Sequence, residues 1–297
     1  MGRGYDPGFL RAAVELPCPD HPTILLDYTH FSVRLVPARR LAAVVAVNIN
    51  GRELVPLDRV GIWHFDPRVP RSLQAGPEVY RHNDLDRGHL VRRLDPVWGD
   101  DATARAANQD TFSYPNAAPQ ASDFNQGKEL WLGLEDHVLN HAGEHDARIS
   151  VFTGPVLADD DVPYRGVAIP RKFWKIAAWT MEGRLAAAGF LLDQSPQLGT
   201  EELAQAVRER LLADEPPPLG PFRTFQVPVP QIADLTGIPL TVLAEADRFS
   251  AGTGPAGTGP AGTGPAGTGP AGRGQADTPP GVAGQAVQLT DLSQIRL

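Results

Sequence analysis

Cysteine occurs once in the 297 residues, as Cys18 in "LPCPD". No intrachain disulfide can therefore hold the fold, and the chain suits a reducing compartment. Lysine is almost missing: Lys128, Lys172 and Lys175 stand against 24 arginines. Hydrophobic runs long enough to cross a bilayer, about 18 residues or more, do not occur, so no membrane association is expected. The opening "MGRGYDPGFLRAAVELP" lacks the basic-then-apolar layout of a secretory signal, and a cytoplasmic location is expected. No glycine-rich phosphate loop or dinucleotide fingerprint opens a helical stretch, which removes the usual nucleotide-binding chemistries. A net positive charge is also lacking: the formal charge is -8 and the pI about 5.5. A sequence-wide basic footprint is thereby excluded, although a focused basic cleft in an acidic protein can still steer an anion.

What is present is a normal supply of core residues, 42% hydrophobic, enough for a packed domain. The pentapeptide repeat "AGTGPAGTGPAGTGPAGTGPAG" marks the clearest boundary. Glycine does not fall at every third position, so a collagen helix is excluded, and small side chains leave little to bury. A main domain over 1–250, a linker over 251–275 and a tail over 276–297 are expected. The tail "VQLTDLSQIRL" holds enough apolar residues for a short strand or helix that either docks or frays. Upstream, "HFSVRLVP" and "LAAVVAVNINGRELVPL" read as strands, with Asn50-Gly51 as a hairpin signal. "DDATARAANQDTF" and "QGKELWLGLEDHVLNHAG" read as helices, the second stopping at Gly143. "ARISVFTGPV", "KFWKIAAWT" and "GRLAAAGFLL" read as strands, and "TEELAQAVRERLLA" as a helix. Strands grouped with strands predict an α+β fold with a central, mainly antiparallel sheet flanked by helices.

Two clusters carry chemistry: "DLDRGHLVRR" from Asp84 to Arg93, and "NAAPQASDFNQG" from Asn116 to Gly127. Phosphodiester cleavage needs a base for water, a charge against the pentavalent transition state and help for the leaving oxygen. His89 can be the base, Arg87 can meet phosphate, and a metal near Asn125 can serve the leaving group. Asp86-Arg87-Gly88-His89, then Asn116 with Pro119-Gln120, then Asn125-Gln126, then Leu134-Glu135 resemble, in that order, the motifs of the DNA/RNA non-specific endonuclease family. The resemblance covers about 30 to 240 and implies a ββα-metal nuclease fold. It implies His89 as general base, Arg87 and Asn116 as polar contacts in the site, and Asn125 as direct ligand of Mg²⁺ or Mn²⁺. Glu135 would hold a metal-bound water. Arg59 is the candidate for a further phosphate-contacting arginine, and Arg92 and Arg93 are candidate groove residues. The interval from Asn125 to Glu135 is two residues longer than usual. Within a helix this turns the face by about 200°, so absorption at or before the helix start is expected.

The implied products carry 5′-phosphate and 3′-hydroxyl ends, from DNA and from RNA as well, with weak sequence preference because phosphate contacts carry no base information. A neutral imidazole is required, so activity should fall below roughly pH 6.5. Asp86 and Gly88 are expected to shape a turn. Trp63, Trp131, Trp174 and Trp179 are expected in the core, and His137, His141 and His145 on a solvated face. A rival reading keeps the fold as a nucleic-acid-binding module without turnover; another is a phosphodiesterase for small substrates. An uncontrolled nuclease endangers its own genome, so a regulatory protein partner and a role in bacterial defence or as a toxin are expected. The family resemblance further implies a homodimer.

Overall fold

"LAAVVAVNIN", Leu41–Asn50, is buried at all ten positions, the pattern of a strand covered on both faces. The computed structural model describes residues 4–58, 60–122, 126–196, 198–220, 222–249 and 286–295, and of 126–130 and 292 the backbone alone. Arg59, Asn125 and the pentapeptide repeat lie outside the described residues.

The chain runs through β1 (Ile24–Asp27), β2 (Phe31–Val36), β3 (Leu41–Asn50), α1 (Pro77–Tyr80), β4 (Leu85–His89) and α2 (Asp101–Thr111). Then come β5 (Ala117–Ala121), α3 (Gln126–Glu144), β6 (Arg148–Pro155), β7 (Val162–Tyr164), β8 (Val167–Ile169), β9 (Lys172–Met181) and β10 (Arg184–Asp193). It closes with α4 (Thr200–Leu212), β11 (Arg223–Val227), α5 (Val229–Thr236), α6 (Thr241–Glu245) and β12 (Val287–Gln288). Eight strands form one sheet in the order β1-β2-β3-β6-β9-β10-β11-β12, every neighbouring pair antiparallel. This is the α+β architecture that the grouping of strands predicts.

Alternation along the strands builds a core on each face. Val45, Val47 and Ile49 of β3, Ile149 and Val151 of β6, and Phe173 and Ala177 of β9 face α3 through Trp131, Leu134 and Val138. Val44 and Ala46, Phe152, and Trp174 and Ile176 point the other way, toward Val229 and Ile232 of α5 and Leu243 of α6. Away from this sheet, β4 and β5 pair antiparallel from Leu85↔Ala121 to His89↔Ala117. Followed by α3, they make a ββα unit. The end of β5 is tied back where the Ala121 amide donates to Gln194 Oε1 (3.0 Å), a fully buried side chain just beyond β10.

Asn50-Gly51 does not make a hairpin. β3 pairs with β2 and β6, and the chain leaves the sheet in a short 3-10 turn at Gly51–Glu53. The glycine is required for a different reason: a Cβ there would lie 1.8 Å from the Ala142 carbonyl oxygen of α3. Close backbone approach, not turn geometry, selects the residue. Asp100 does cap α2, accepting from the Thr103 amide at 2.8 Å, and α3 ends one residue past Gly143. The tail docks: β12 pairs with Phe225 and Gln226 of β11, and Leu289 is buried in the cluster beneath α3. Among the described residues no helix is long and apolar enough to cross a membrane.

His30, in the turn between β1 and β2, stacks on Trp98 with centroids 3.4 Å apart. Its Nδ1 pairs with the Pro96 carbonyl (2.8 Å), while Nε2 is buried with no hydrogen-bond partner among the described residues. Burial therefore holds its pKa below the ordinary 6.5. The unfolded chain binds this proton more readily than the folded one, so the contribution to stability is present above pH 6.5 and is lost as the pH falls. Urea unfolding at pH 7.5 and pH 5.5 should therefore show wild type losing stability on acidification relative to His30→Asn, which suits the left-handed backbone (φ 66°), because the other titrating groups are common to both proteins and cancel in the comparison. An unchanged difference between the two proteins at the two pH values would refute the assignment to His30.

Candidate active site

Asp86-Arg87-Gly88-His89 is strand β4 rather than a turn before a helix. The physical consequence is alternation: Leu85, Arg87 and His89 share one side of the strand. Leu85 is buried, whereas Arg87 and His89 both meet Trp63. The Arg87 guanidinium carbon lies 5.6 Å from the centre of the indole, and the His89 ring centre 4.7 Å from it. Phe112 meets the imidazole edge-on at 5.0 Å and 88° and itself packs on Trp63 at 5.5 Å. Packing against two rings limits how the imidazole can turn. Trp63 is thus half-buried in the site and not simply a core residue. Arg87 remains exposed, and among the described residues no carboxylate pairs with it.

Gly88 faces the opposite side. A Cβ there would lie 2.2 Å from the carboxamide of Gln120, two residues along from its cross-strand partner Ala118. The glycine leaves room for Gln120 to cross the hairpin.

Asn116 does not reach an open surface. It is fully buried, its Nδ2 donates to the carbonyls of Val91 (3.0 Å) and Thr111 (2.9 Å), and its Oδ1 accepts from the Val91 amide (2.8 Å). Its backbone carbonyl accepts from Leu90 at 2.9 Å. Both amide hydrogens are in use, so Asn116 braces the chain behind His89 and has no side-chain hydrogen left for a substrate. Arg92 turns to α3 rather than to a groove: it donates to the Glu135 carbonyl (3.2 Å), pairs with Asp136, and its Nε lies 3.9 Å from Glu135 Oε2. Arg93 donates to the carbonyls of Leu57 (3.0 Å) and Asp58 (3.1 Å) and to Asn108 Oδ1 (3.1 Å), holding the loop before Trp63.

Glu135 sits in a buried charge cluster. Its Oε1 is 3.2 Å from Lys175 Nζ, with side-chain exposures of 8% and 2%. Asp95 shares this region, its carboxyl pushed up to about 7 by burial, while the charges of Lys175 and Arg92 draw it back down. Sequence reading missed Lys175 because nothing local distinguishes it; only its place in the sheet does. The helix opens at Gln126, so no irregular stretch between there and Glu135 absorbs the two extra residues. Glu135 nonetheless points into the cluster through Arg92 and Lys175. The rings of His141 and His145 stack at 4.4 Å on the far end of α3.

The candidate metal ligand Asn125 and the candidate phosphate contact Arg59 lie outside the described residues. Among the described residues no group of three or more His, Cys, Asp or Glu converges as a cage. By residue type the Glu135 carboxylate and the Asn125 amide are hard oxygen donors, the kind suited to a hydrated divalent cation.

A ββα unit with a histidine and an arginine on its first strand and a carboxylate on its helix, set on a large antiparallel sheet, defines the fold of a ββα-metal nuclease. The model of the DNA/RNA non-specific endonuclease family matches residues 11–249, and the chain belongs to that family. It is 42% identical over 224 residues to the y4fB protein of Sinorhizobium fredii, covering 72% of this chain and 33% of that one. With mitochondrial endonuclease G of Bos taurus it shares 29% over 205 residues, 64% of this chain and 60% of that one. The chain thus spans a third to three-fifths of the length of these relatives. Among solved structures, EndoG in its complex with EndoGI superposes with a TM-score of 0.52 at 18% identity, covering 73% of this chain and 85% of that one.

Asn116→Ala would leave the Val91 amide and two buried carbonyls without partners. At about 1–3 kcal/mol per unsatisfied group, partly relieved by relaxation, a loss of roughly 2–4 kcal/mol in urea unfolding is expected. A change under about 0.5 kcal/mol, the level of a neutral surface substitution, would show that the brace is unimportant.

Proposed function

We propose that the protein is a divalent-metal-dependent endonuclease that hydrolyses phosphodiester bonds of DNA and also of RNA. The observation that carries this reading is the pairing of Arg87 and His89 on one side of β4 against Trp63, in a member of this family.

His89, oriented by Trp63 and Phe112, takes a proton from the attacking water. Arg87, exposed beside it, faces the phosphoryl group and stabilises the charge that grows on its oxygens. Asn125, with Glu135 acting through water, would hold Mg²⁺ or Mn²⁺, which supplies positive charge at the departing 3′-oxygen. Arg92 grips Glu135 and Asp136 and so couples the end of the catalytic strand to the helix that carries the carboxylate. Products with 5′-phosphate and 3′-hydroxyl ends follow from attack with loss of the 3′-oxygen. Arg59, which lies outside the described residues, is the remaining candidate for phosphate contact. Contacts to phosphate alone predict little sequence preference. Control by a protein partner belongs to this reading, supported by the likeness to EndoG, whose solved complex with EndoGI concerns EndoG inhibition. Homodimer assembly, a cytoplasmic location and service in bacterial defence or as a toxin complete it.

Incubation with supercoiled plasmid and with RNA tests the reading. Wild type with Mg²⁺ should nick and linearise plasmid, EDTA should stop it, and His89→Ala should slow it by about 10²–10⁴-fold. Cleavage indifferent to both EDTA and His89→Ala would overturn the mechanism.

A further inference from the structure

Three lysines occur in the whole chain, and one of them is in its core. On β9, Phe173 and Ala177 point into the apolar layer beneath α3. Lys175 stands between them and by strand alternation faces the same layer. An apolar residue would suit that position, and desolvating an ammonium is costly unless partners surround it. They do. The direct cross-strand neighbour on β6 is Thr153, whose Oγ1 accepts from Nζ at 3.1 Å. The helix supplies two more groups one turn apart: Glu135 Oε1 at 3.2 Å and the Trp131 ring, whose centre is 5.4 Å from Nζ.

Rigidity is the point of this arrangement. Lysine has a flexible stem, but here the stem is enclosed by the layer and the head is held by a hydroxyl, a ring and a carboxylate at once. A side chain so constrained fixes whatever it holds. Glu135 is tethered from the sheet at Oε1, and Arg92 lies 3.9 Å from Oε2 on the side of the catalytic strand. Asp95, buried nearby, feels the charges of Lys175, Arg92 and Glu135, so removing Lys175 leaves Arg92 as the cation that offsets both carboxylates.

We propose that Lys175 is the positioning residue for Glu135: it sets the orientation of that carboxylate from beneath, so that the free lone pairs of Glu135 are presented to a hydrated divalent cation. The proposal rests on the reading of Glu135 given above. It differs from a purely structural role, because a buried pair that merely stabilised the fold would leave cation affinity unchanged once the protein was folded.

The test measures Mn²⁺ binding to the full-length protein by calorimetry in the absence of nucleic acid, with circular dichroism to confirm the fold. Loss of an outer partner of a metal-holding group weakens binding by about 10–100-fold, and Lys175→Met should do so. Should Lys175→Met not fold with Glu135 left to Arg92 alone, the comparison moves to Glu135→Gln alone and Glu135→Gln with Lys175→Met. In the neutral background the lysine has no carboxylate to orient, so adding Lys175→Met should change binding by less than about twofold, as expected for a coupled pair. Equal Mn²⁺ affinity in wild type and folded Lys175→Met overturns the proposal and leaves the nuclease reading intact. So does a tenfold further loss in the Glu135→Gln background. Wild type that binds no Mn²⁺ overturns the reading of Glu135 itself, and the proposal with it.

Discussion

The arrangement of the site depends on one buried ion pair, Lys175 with Glu135, at the junction between sheet and helix. Such a pair adds little net stability, because removing two charges from water offsets most of their attraction. What it fixes is geometry. The long helix α3 packs on the sheet through Trp131, Leu134 and Val138, contacts that are not directional in themselves. A carboxylate that meets an ammonium from β9 adds a directional contact to that packing. Arg92 then fastens the chain just beyond His89 to the same turn of the helix.

From that constraint the rest follows in layers. The sheet is rigid because both faces are covered, and the ββα unit hangs from it through Gln194 and through the packing of α3. On the hairpin, period-two alternation puts Arg87 and His89 side by side, and the aromatic wall of Trp63 and Phe112 limits how the imidazole turns. Polar residues that look available in the sequence turn out to be structural. Asn116 satisfies the buried carbonyls of Val91 and Thr111, and Arg93 binds the carbonyls of Leu57 and Asp58, so these donors are already engaged within the fold.

Much of this was legible in the sequence because it is local. The strands announce themselves by β-branched runs, α2 by its Asp cap, and the family by short motifs whose order the fold preserves. Asn50-Gly51 misled for an instructive reason: local turn chemistry and close backbone approach select the same residue, and only the position of α3 separates them. The reading of the DRGH segment as a turn failed similarly. Its pairing partner, Ala117–Ala121, is about thirty residues away, and nothing in the four residues shows that a strand will arrive beside them.

The sequence by itself determined the α+β class, the family, and the residue types that chemistry at phosphate requires, since these rest on composition, periodicity and short-range spacing. Tertiary structure decided which residues stand together. Trp63 reaches His89 across 26 positions, and Lys175 reaches Glu135 across 40. A lysine in "KFWKI" is indistinguishable from a surface residue until the register of β9 with β6, and the helix laid across them, place its head in the core. The physical reason is that the partner of a buried charge is chosen by packing, and packing joins residues without regard to their separation along the chain.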